Sequence, residues 1–562
     1  NTGTNNGAVY IHIQNLKGDF DNNTFINNSI HPSTTDTFDF GGAICFHQDQ
    51  NKMAVRIVTI KNSYFENNSA PRCGGAIFIS FVDTESPEHP YYNIPVIIEN
   101  CEFIKCSSNV KGGAIGSGLA SDVTELGYFN GDILINYCTF KDCQSKYGGA
   151  IFSHDGNLAG DEETNITNCI FDHCSSKSGG CIYSRSYKFV LESSTFINNA
   201  ADYIDNSDNP GEFPQYGRTQ PSIIYLNMNE NEINPIIYNC TFTQNELGVL
   251  DINVSGTLHM TECIFDNYSG QNLLELQYIL SSGSEEGTIY EGCIFQNCQG
   301  PTAVNGDKYN HTFINCTFRN NNHTLSYQGS GGFSVNGECL FSMSNCSFIN
   351  NIGLDYGGAI DINPGNLIGD FYNNTFINNS LHRRETTYEY NDNGGALRFN
   401  MNTFGYDGTI IHIIRNCYFE DNTSPNCGGA IFGNLFDQEG RPGGDERPPL
   451  YKVPFIIEQC EFVHCTSDIK GGAIGSGISK EVDDNGYSDN DIVIRSCTFK
   501  NCQSKYGGAI FSHDGDFEGD EETNITNCIF DHCSSKSGGC IYSRAYKFVL
   551  ESSTFINNAA DY

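Results

Sequence analysis

Phe65-Glu66-Asn67-Asn68-Ser69-Ala70 leads within a few residues to Gly74-Gly75-Ala76-Ile77, and this phrase recurs along the chain. Seventeen Phe landmarks run in phase from Phe25 through Phe65, Phe103, Phe140 and Phe171 to Phe555. Each has Asn or Cys three residues on, except Phe265, which has Tyr268. Gly-Gly pairs recur between them at Gly41-Gly42, Gly74-Gly75, Gly112-Gly113 and Gly148-Gly149. Self-similarity at this period is the mark of a solenoid. The shortest intervals, Phe242 to Phe265 and Phe295 to Phe318, span 23 residues, enough for three short strands and three turns. The expected fold is all-β: a parallel β-helix of about 17 rungs with loop insertions. The insertions fall at 80–93, 117–132, 205–222 and 436–449, which are rich in Pro, Gly, Asp or Glu.

Alternation sets the faces, because side chains two apart in a strand share one side. Twelve rungs carry Cys two residues before the Phe: Cys101, Cys138, Cys169, Cys240, Cys263, Cys293, Cys316, Cys346, Cys417, Cys460, Cys497 and Cys528. Cys and Phe therefore point inward together and stack from rung to rung. Seven more (Cys106, Cys143, Cys174, Cys298, Cys465, Cys502, Cys533) follow the Phe by three and interleave with an inward Asn column that includes Asn28, Asn68, Asn199 and Asn351. A ladder satisfies such amides through the rungs on either side. The Gly-Gly pair marks a corner that needs positive φ or close backbone approach, and the Ala-Ile after it starts the next inward strand.

The chain also repeats on a longer scale. Residues 145–203 return as 504–562 with four differences in 59 positions, so 1–203 matches 352–562 and 204–351 is a unique middle. The expected organisation is one continuous solenoid: a first large unit, 1–351, followed by a partial second, 352–562. A chain opening on Asn1 reads as a mature or excised segment of a longer tandem array.

A net charge of −37 argues against nucleic acid or an anionic membrane as partner. No apolar run approaches the roughly 20 residues of a membrane helix. Twenty-five cysteines with no C-x2-C pair point to an oxidising, extracellular compartment rather than zinc ribbons. Within-rung bridges such as Cys101 to Cys106 look too long along an extended strand, whereas neighbouring rungs come within disulfide reach. The alternative is a column of reduced thiols acting as small buried hydrophobes.

The pairing of Phe-x-x-Asn with Gly-Gly-Ala-Ile resembles the repeats of chlamydial polymorphic outer membrane proteins. That resemblance implies a right-handed parallel β-helix displayed at a cell surface, where the family serves adhesion. No transporter barrel accompanies the repeats in this segment.

Fifteen Asn-x-Ser/Thr sequons make N-linked glycans an expectation: Asn22, Asn27, Asn67, Asn165, Asn239, Asn253, Asn267, Asn310, Asn315, Asn322, Asn345, Asn373, Asn378, Asn422 and Asn524. Asn, Ser and Thr are also favoured in turns and form such triplets by chance. Asn22, Asn239, Asn315, Asn345 and Asn373 each lie three before a Phe, with Thr or Ser one before it, so both side chains are expected to face out.

Asp514, Asp516, Glu518 and Asp520 alternate as in the first half of an EF-hand calcium loop, but Ile525 stands where the closing Glu belongs. A solvated acidic loop is the preferred reading, with calcium the one cofactor the chain could take. His154-Asp155, His513-Asp514 and His173 beside Cys174 are the nearest catalytic candidates and read better as structural repeats.

Three function classes follow. The first is a non-enzymatic extracellular glycoprotein fibre that grows by repetition or self-association. The second is an adhesin whose loops bind a surface receptor or glycan. The third, least favoured, is a polysaccharide-degrading enzyme of the β-helix type.

Overall fold

The computed structural model of the chain describes residues 2–3, 7–12, 18–30, 40–48, 57–81, 95–118, 131–153, 162–201, 222–228, 234–245, 248–254, 257–268, 287–300, 304–305, 310–323, 329–335, 341–362, 369–382, 393–402, 412–436, 455–476, 491–513 and 522–561. Among these the regular elements are strands, and no helix is present. The four insertions expected from composition fall largely outside the described residues.

The rung at 95–118 shows how sequence becomes coil. Val96–Glu99 forms a strand with Val96 and Ile98 buried and Ile97 and Glu99 half-buried on the other face. Asn100, at φ 52°, turns the chain into Glu102–Ile104, and Lys105, at φ 51°, turns it again into the two-residue strand Ser107–Ser108. The Gly112-Gly113 corner then delivers Ile115–Ser117.

Each strand pairs in parallel, residue for residue, with its equivalents one rung away. Val96 lies beside Val58 and Ile133, Phe103 beside Phe65 and Phe140, and Ile115 beside Ile77 and Ile151. The fold is a right-handed parallel β-helix, as expected.

The chain divides into two compact units, Asn1–Thr288 and Ile289–Tyr562. In the first, the Phe strands run from Thr24–Ile26 to Ile264–Asp266; in the second, from Ile294–Gln296 to Thr554–Ile556.

Within each unit the Phe rings form a continuous column, neighbours stacking 4.6–5.1 Å apart with planes within 15°. In-register parallel pairing forces this geometry, because strand spacing sets the ring spacing. Each stacked pair adds about 0.5–1.5 kcal/mol beyond its burial.

The corner uses its two glycines differently. The first adopts positive φ, as Gly148 does at 63°. The second is pressed against the next rung: a Cβ on Gly149 would lie 2.1 Å from the carbonyl oxygen of Gly180.

Candidate functional site

The outer edges of the coil are lined by left-handed turn residues, two per rung, at the positions three before and two after the Phe. The first set includes Asn22, Asn62, Asn100, Asn168, Asn239, Asn315, Asn345 and Asn373, and the second includes Asn27, Asn67, Asn267, Asn320, Asn350 and Asn378. Asn tolerates this conformation better than other side chains bearing a Cβ, which explains its abundance independently of glycosylation. Several of these amides also bond along the outside, Asn67 Nδ2 to Asn27 Oδ1 at 3.0 Å, Asn350 to Asn320 at 3.1 Å, Asn378 to Asn350 at 2.8 Å and Asn373 to Asn345 at 2.7 Å.

These turns place nine sequon asparagines in solvent: Asn22, Asn27, Asn67, Asn239, Asn267, Asn315, Asn345, Asn373 and Asn378. A glycan on Nδ2 leaves one amide hydrogen able to donate. Asn165 and Asn524 are half-buried in mid-strand, each donating to the glutamate two residues earlier at 3.1 Å and 3.2 Å. Asn310 and Asn322 are also half-buried, and Asn322 Oδ1 lies 2.6 Å from His382 Nε2. Asn253 lies in the strand Gly248–Val254, with its side chain outside the described residues.

Asn422 lies apart from the exposed triplets. It is fully buried in the inner Asn column, donating to the Phe376 carbonyl at 2.8 Å and accepting from Asn379. A folded rung has no path from that nitrogen to solvent.

Inside, the polar columns are isofunctional rather than uniform. Two residues before the Phe, Cys138 Sγ donates to the Asn136 carbonyl at 3.3 Å and the Ile98 carbonyl at 3.6 Å, and accepts the backbone N–H of Cys101 at 3.5 Å. Ser63 supplies the same kind of bonds in its rung, donating to Lys61 O and accepting from Asn23 N, and Asn374 accepts from Cys346 N and donates to Met343 O. The position selects a small side chain that closes the left-handed turn before it.

Three residues after the Phe the logic repeats. Asn68 Nδ2 donates to the Phe25 carbonyl at 2.9 Å, and Cys106 Sγ reaches the equivalent Phe65 carbonyl at 3.6 Å. The twelve ladder cysteines are buried, and all twenty-four described cysteines are free thiols in the structure. Their hydrogen bonds to carbonyls account for the columns without any bridge.

The outward face of the strand after the corner is covered, which alternation alone does not reveal. Phe40, Cys45, Cys73 and Phe78 cluster there, as do Tyr147, Phe152, Tyr183 and Tyr225. Phe40, Cys73 and Tyr147, each just before a Gly-Gly pair, fold over the strand, and burial pushes the Cys45 thiol up to about 12. In the second unit this layer holds a buried ion pair, Arg398 Nη1 to Asp361 Oδ1 at 2.7 Å, with the guanidinium 3.7 Å above the Tyr356 ring. Burial raises the Asp361 carboxyl, and Arg398 opposes that shift.

His513 is buried, its backbone N–H donating to Ser476 Oγ at 2.8 Å, and His173 pairs with the adjacent Asp172 at 2.5 Å. His154 and the acidic run Asp514, Asp516, Glu518 and Asp520 lie outside the described residues. The sequence reading missed Glu420, Asp421 and His464, whose ligand atoms lie within 4.8 Å of one another across two rungs. Their spacing of more than 40 residues hides them until register is known.

Two stretches, residues 62–80 and 416–434, match the Chlamydia polymorphic membrane protein repeat. Each spans one rung from the left-handed turn through the Phe strand and the Gly-Gly corner. No curated protein sequence matches the chain significantly.

Proposed function

We propose that this chain is a non-enzymatic structural protein of the cell surface, an N-glycosylated β-helix that builds a fibre by adding rungs. One observation carries the reading: every described rung meets its neighbours through in-register strands and side-chain columns that repeat without change of phase within each unit. Such a coil offers the same template at each step, so further copies of the repeat lengthen it by the same contacts. The matches to a membrane-protein repeat and the exposed left-handed Asn residues support a surface setting with attached glycans.

The test is electron microscopy of native material with peptide mass spectrometry of the same sample. Filaments with glycans on residues such as Asn239, Asn315 and Asn373 are expected. Discrete particles that bind cells, and lose binding when 205–222 is deleted, would instead identify an adhesin acting through its inserted loops.

A further inference from the structure

The left-handed turns two residues after the Phe stack into a column along the outside of the second unit: Asn297, Asn320, Asn350, Asn378, Asp421, His464, Asn501 and His532, each at φ between 51° and 56°. Where the column is asparagine its amides bond rung to rung, Asn320 to Asn297 at 3.3 Å and Asn378 to Asn350 at 2.8 Å. Asp421 and His464 interrupt that run. His464 Nδ1 lies 3.5 Å from Asp421 Oδ1, and the other ring nitrogen, Nε2, lies 3.2 Å from the Asn501 amide. Glu420, at the end of its strand beside Val463, brings a third group, and the ligand atoms of all three lie within 4.8 Å of one another.

The turns that carry these groups are pinned to the sheet. The Asp421 N–H donates to Val463 O at 3.0 Å and the His464 N–H to Lys500 O at 2.9 Å, so only side-chain torsions remain to be set. A tetrahedral zinc ion, with bonds of about 2.0–2.2 Å, holds its ligand atoms about 3.4 Å apart. The Asp421–His464 distance already matches that spacing, and rotation about the Glu420 side-chain bonds closes the rest. Charge points the same way. Two carboxylates face one imidazole, and even a protonated ring would offset only one of them, while Lys500 is engaged by Glu461 at 2.6 Å. The Asn501 amide supplies the outer support of a metal-bound histidine: turned by a half rotation, it offers Oδ1 to the N–H at Nε2, and Nδ1 keeps its lone pair for the ion.

The first unit provides an internal comparison. Tyr64-Phe65-Glu66-Asn67 and Cys101-Glu102-Phe103-Ile104-Lys105 match Tyr418-Phe419-Glu420-Asp421 and Cys460-Glu461-Phe462-Val463-His464. The turns are the same, with Asn67 at φ 56° and Lys105 at φ 51°. The fold therefore accepts an amide and an ammonium at these two positions, and packing does not demand Asp or His there. In the second unit both positions carry metal-ligating side chains, far apart in sequence and side by side in space.

We propose that Glu420, Asp421 and His464 bind a divalent transition-metal ion of the zinc class, with water completing its coordination, and that this ion ties two neighbouring rungs of the second unit together. One imidazole nitrogen and two carboxylate oxygens suit zinc. Calcium takes about 6–8 oxygen ligands, more than these turns offer. The site goes beyond the fibre reading and does not depend on it.

The full chain, produced without glycans and kept reduced, is dialysed against Zn2+ and its bound metal counted, alongside the double variant Asp421→Asn with His464→Lys. That variant carries the pair with which the first unit already folds. Every other zinc-binding group, the thiols included, is common to both samples. The parent is expected to hold one zinc ion more than the variant, and Zn2+ to slow amide exchange at 418–424 and 461–466 in the parent only. Outer partners of a metal ligand are worth about 10–100-fold in affinity, so loss of a ligand carboxylate in Glu420→Gln should weaken binding by at least about tenfold. Equal zinc counts in parent and double variant, or exchange at those amides indifferent to Zn2+, overturn the site. Calcium binding there as tightly as zinc overturns the assignment of the ion.

Discussion

Replacing Asn351 tests whether the inner column is held by hydrogen bonds or by size. Asn351 is fully buried in the second unit. Its Oδ1 accepts from the backbone N–H and the Nδ2 of Asn321 at 3.3 Å and 3.0 Å, and its Nδ2 donates to Phe318 O and Asn379 Oδ1, both at 3.0 Å. Asn351→Ala removes all four bonds. Asn321 Nδ2 keeps a bond to Phe295 O at 3.0 Å, so the main orphans are the Asn321 backbone N–H and the Phe318 carbonyl. At about 1–3 kcal/mol for each buried unsatisfied group, the expected loss is about 3–5 kcal/mol.

Asn351→Cys should cost less, about 1–2 kcal/mol, because a thiol there donates to the carbonyl that Cys106 and Cys143 engage in their rungs. Asn351→Asp should cost most, since a carboxylate offers no donor to Phe318 O and is buried without a cation. The assay is hydrogen exchange of the amides of 317–323 in the full chain, with a urea transition alongside, because solenoids need not unfold in a single step. At about 1.4 kcal/mol per tenfold, the Ala variant exchanges about 100- to 4000-fold faster than the parent and the Cys variant about tenfold faster. Equal effects of Ala and Cys, or an Asp variant more protected than Ala, would refute the hydrogen-bond account.

His311 lies buried between Tyr290 and Phe333 with neither ring nitrogen hydrogen-bonded, and burial lowers it to about 4. Its folded value is below the unfolded one, so the unfolded chain takes up the proton first. Stability is then lost as pH falls from about 6.5 to about 4, by about 3 kcal/mol in total. In His311→Phe that loss disappears, so the difference in urea midpoint from the parent should grow on acidification; a constant difference would show that the histidine does not titrate. Gly149→Ala drives a Cβ into the Gly180 carbonyl and should cost about 3 kcal/mol or more, whereas Asn100→Ala at a left-handed turn costs about 1 kcal/mol by thermal unfolding. Arg398→Met strands the buried Asp361 and should destabilise by about 3–5 kcal/mol, with most of the loss recovered in the double variant carrying Asp361→Leu; a double variant no better than the single would place the cost in the lost contact with Tyr356.

What the sequence made legible was whatever a two-residue period could carry. Phe and the Cys two before it share a strand, so their common inward direction and stacking follow from alternation alone. The turns were legible only as composition. Asn at the position three before the Phe serves the left-handed conformation, and the same Asn with a nearby Thr or Ser spells a glycosylation triplet; one sequence signal therefore carries two meanings. Asn422 shows the ambiguity at its sharpest. Its triplet, Asn422-Thr423-Ser424, matches the exposed ones in spelling, but its phase, three after Phe419, turns the amide inward to bond Phe376 O. Phase relative to the Phe therefore separates accessible from buried triplets, and the spelling does not.

The covered outward face was illegible for a different reason. Phe78 and Phe152 stand where alternation predicts solvent, and they are buried by residues preceding other Gly-Gly corners, such as Phe40, whose ring stacks 4.3 Å from that of Phe78. The separation between such partners depends on the lengths of the intervening insertions, so no fixed spacing announces them. The same holds for Asp361 with Arg398, 37 residues apart, and for Glu420 and Asp421 with His464. Rung phase is thus the coordinate in which this chain is to be read. Within it, Cys, Ser and Asn are alternative answers to one demand, a small group that closes a turn and bonds the neighbouring rung.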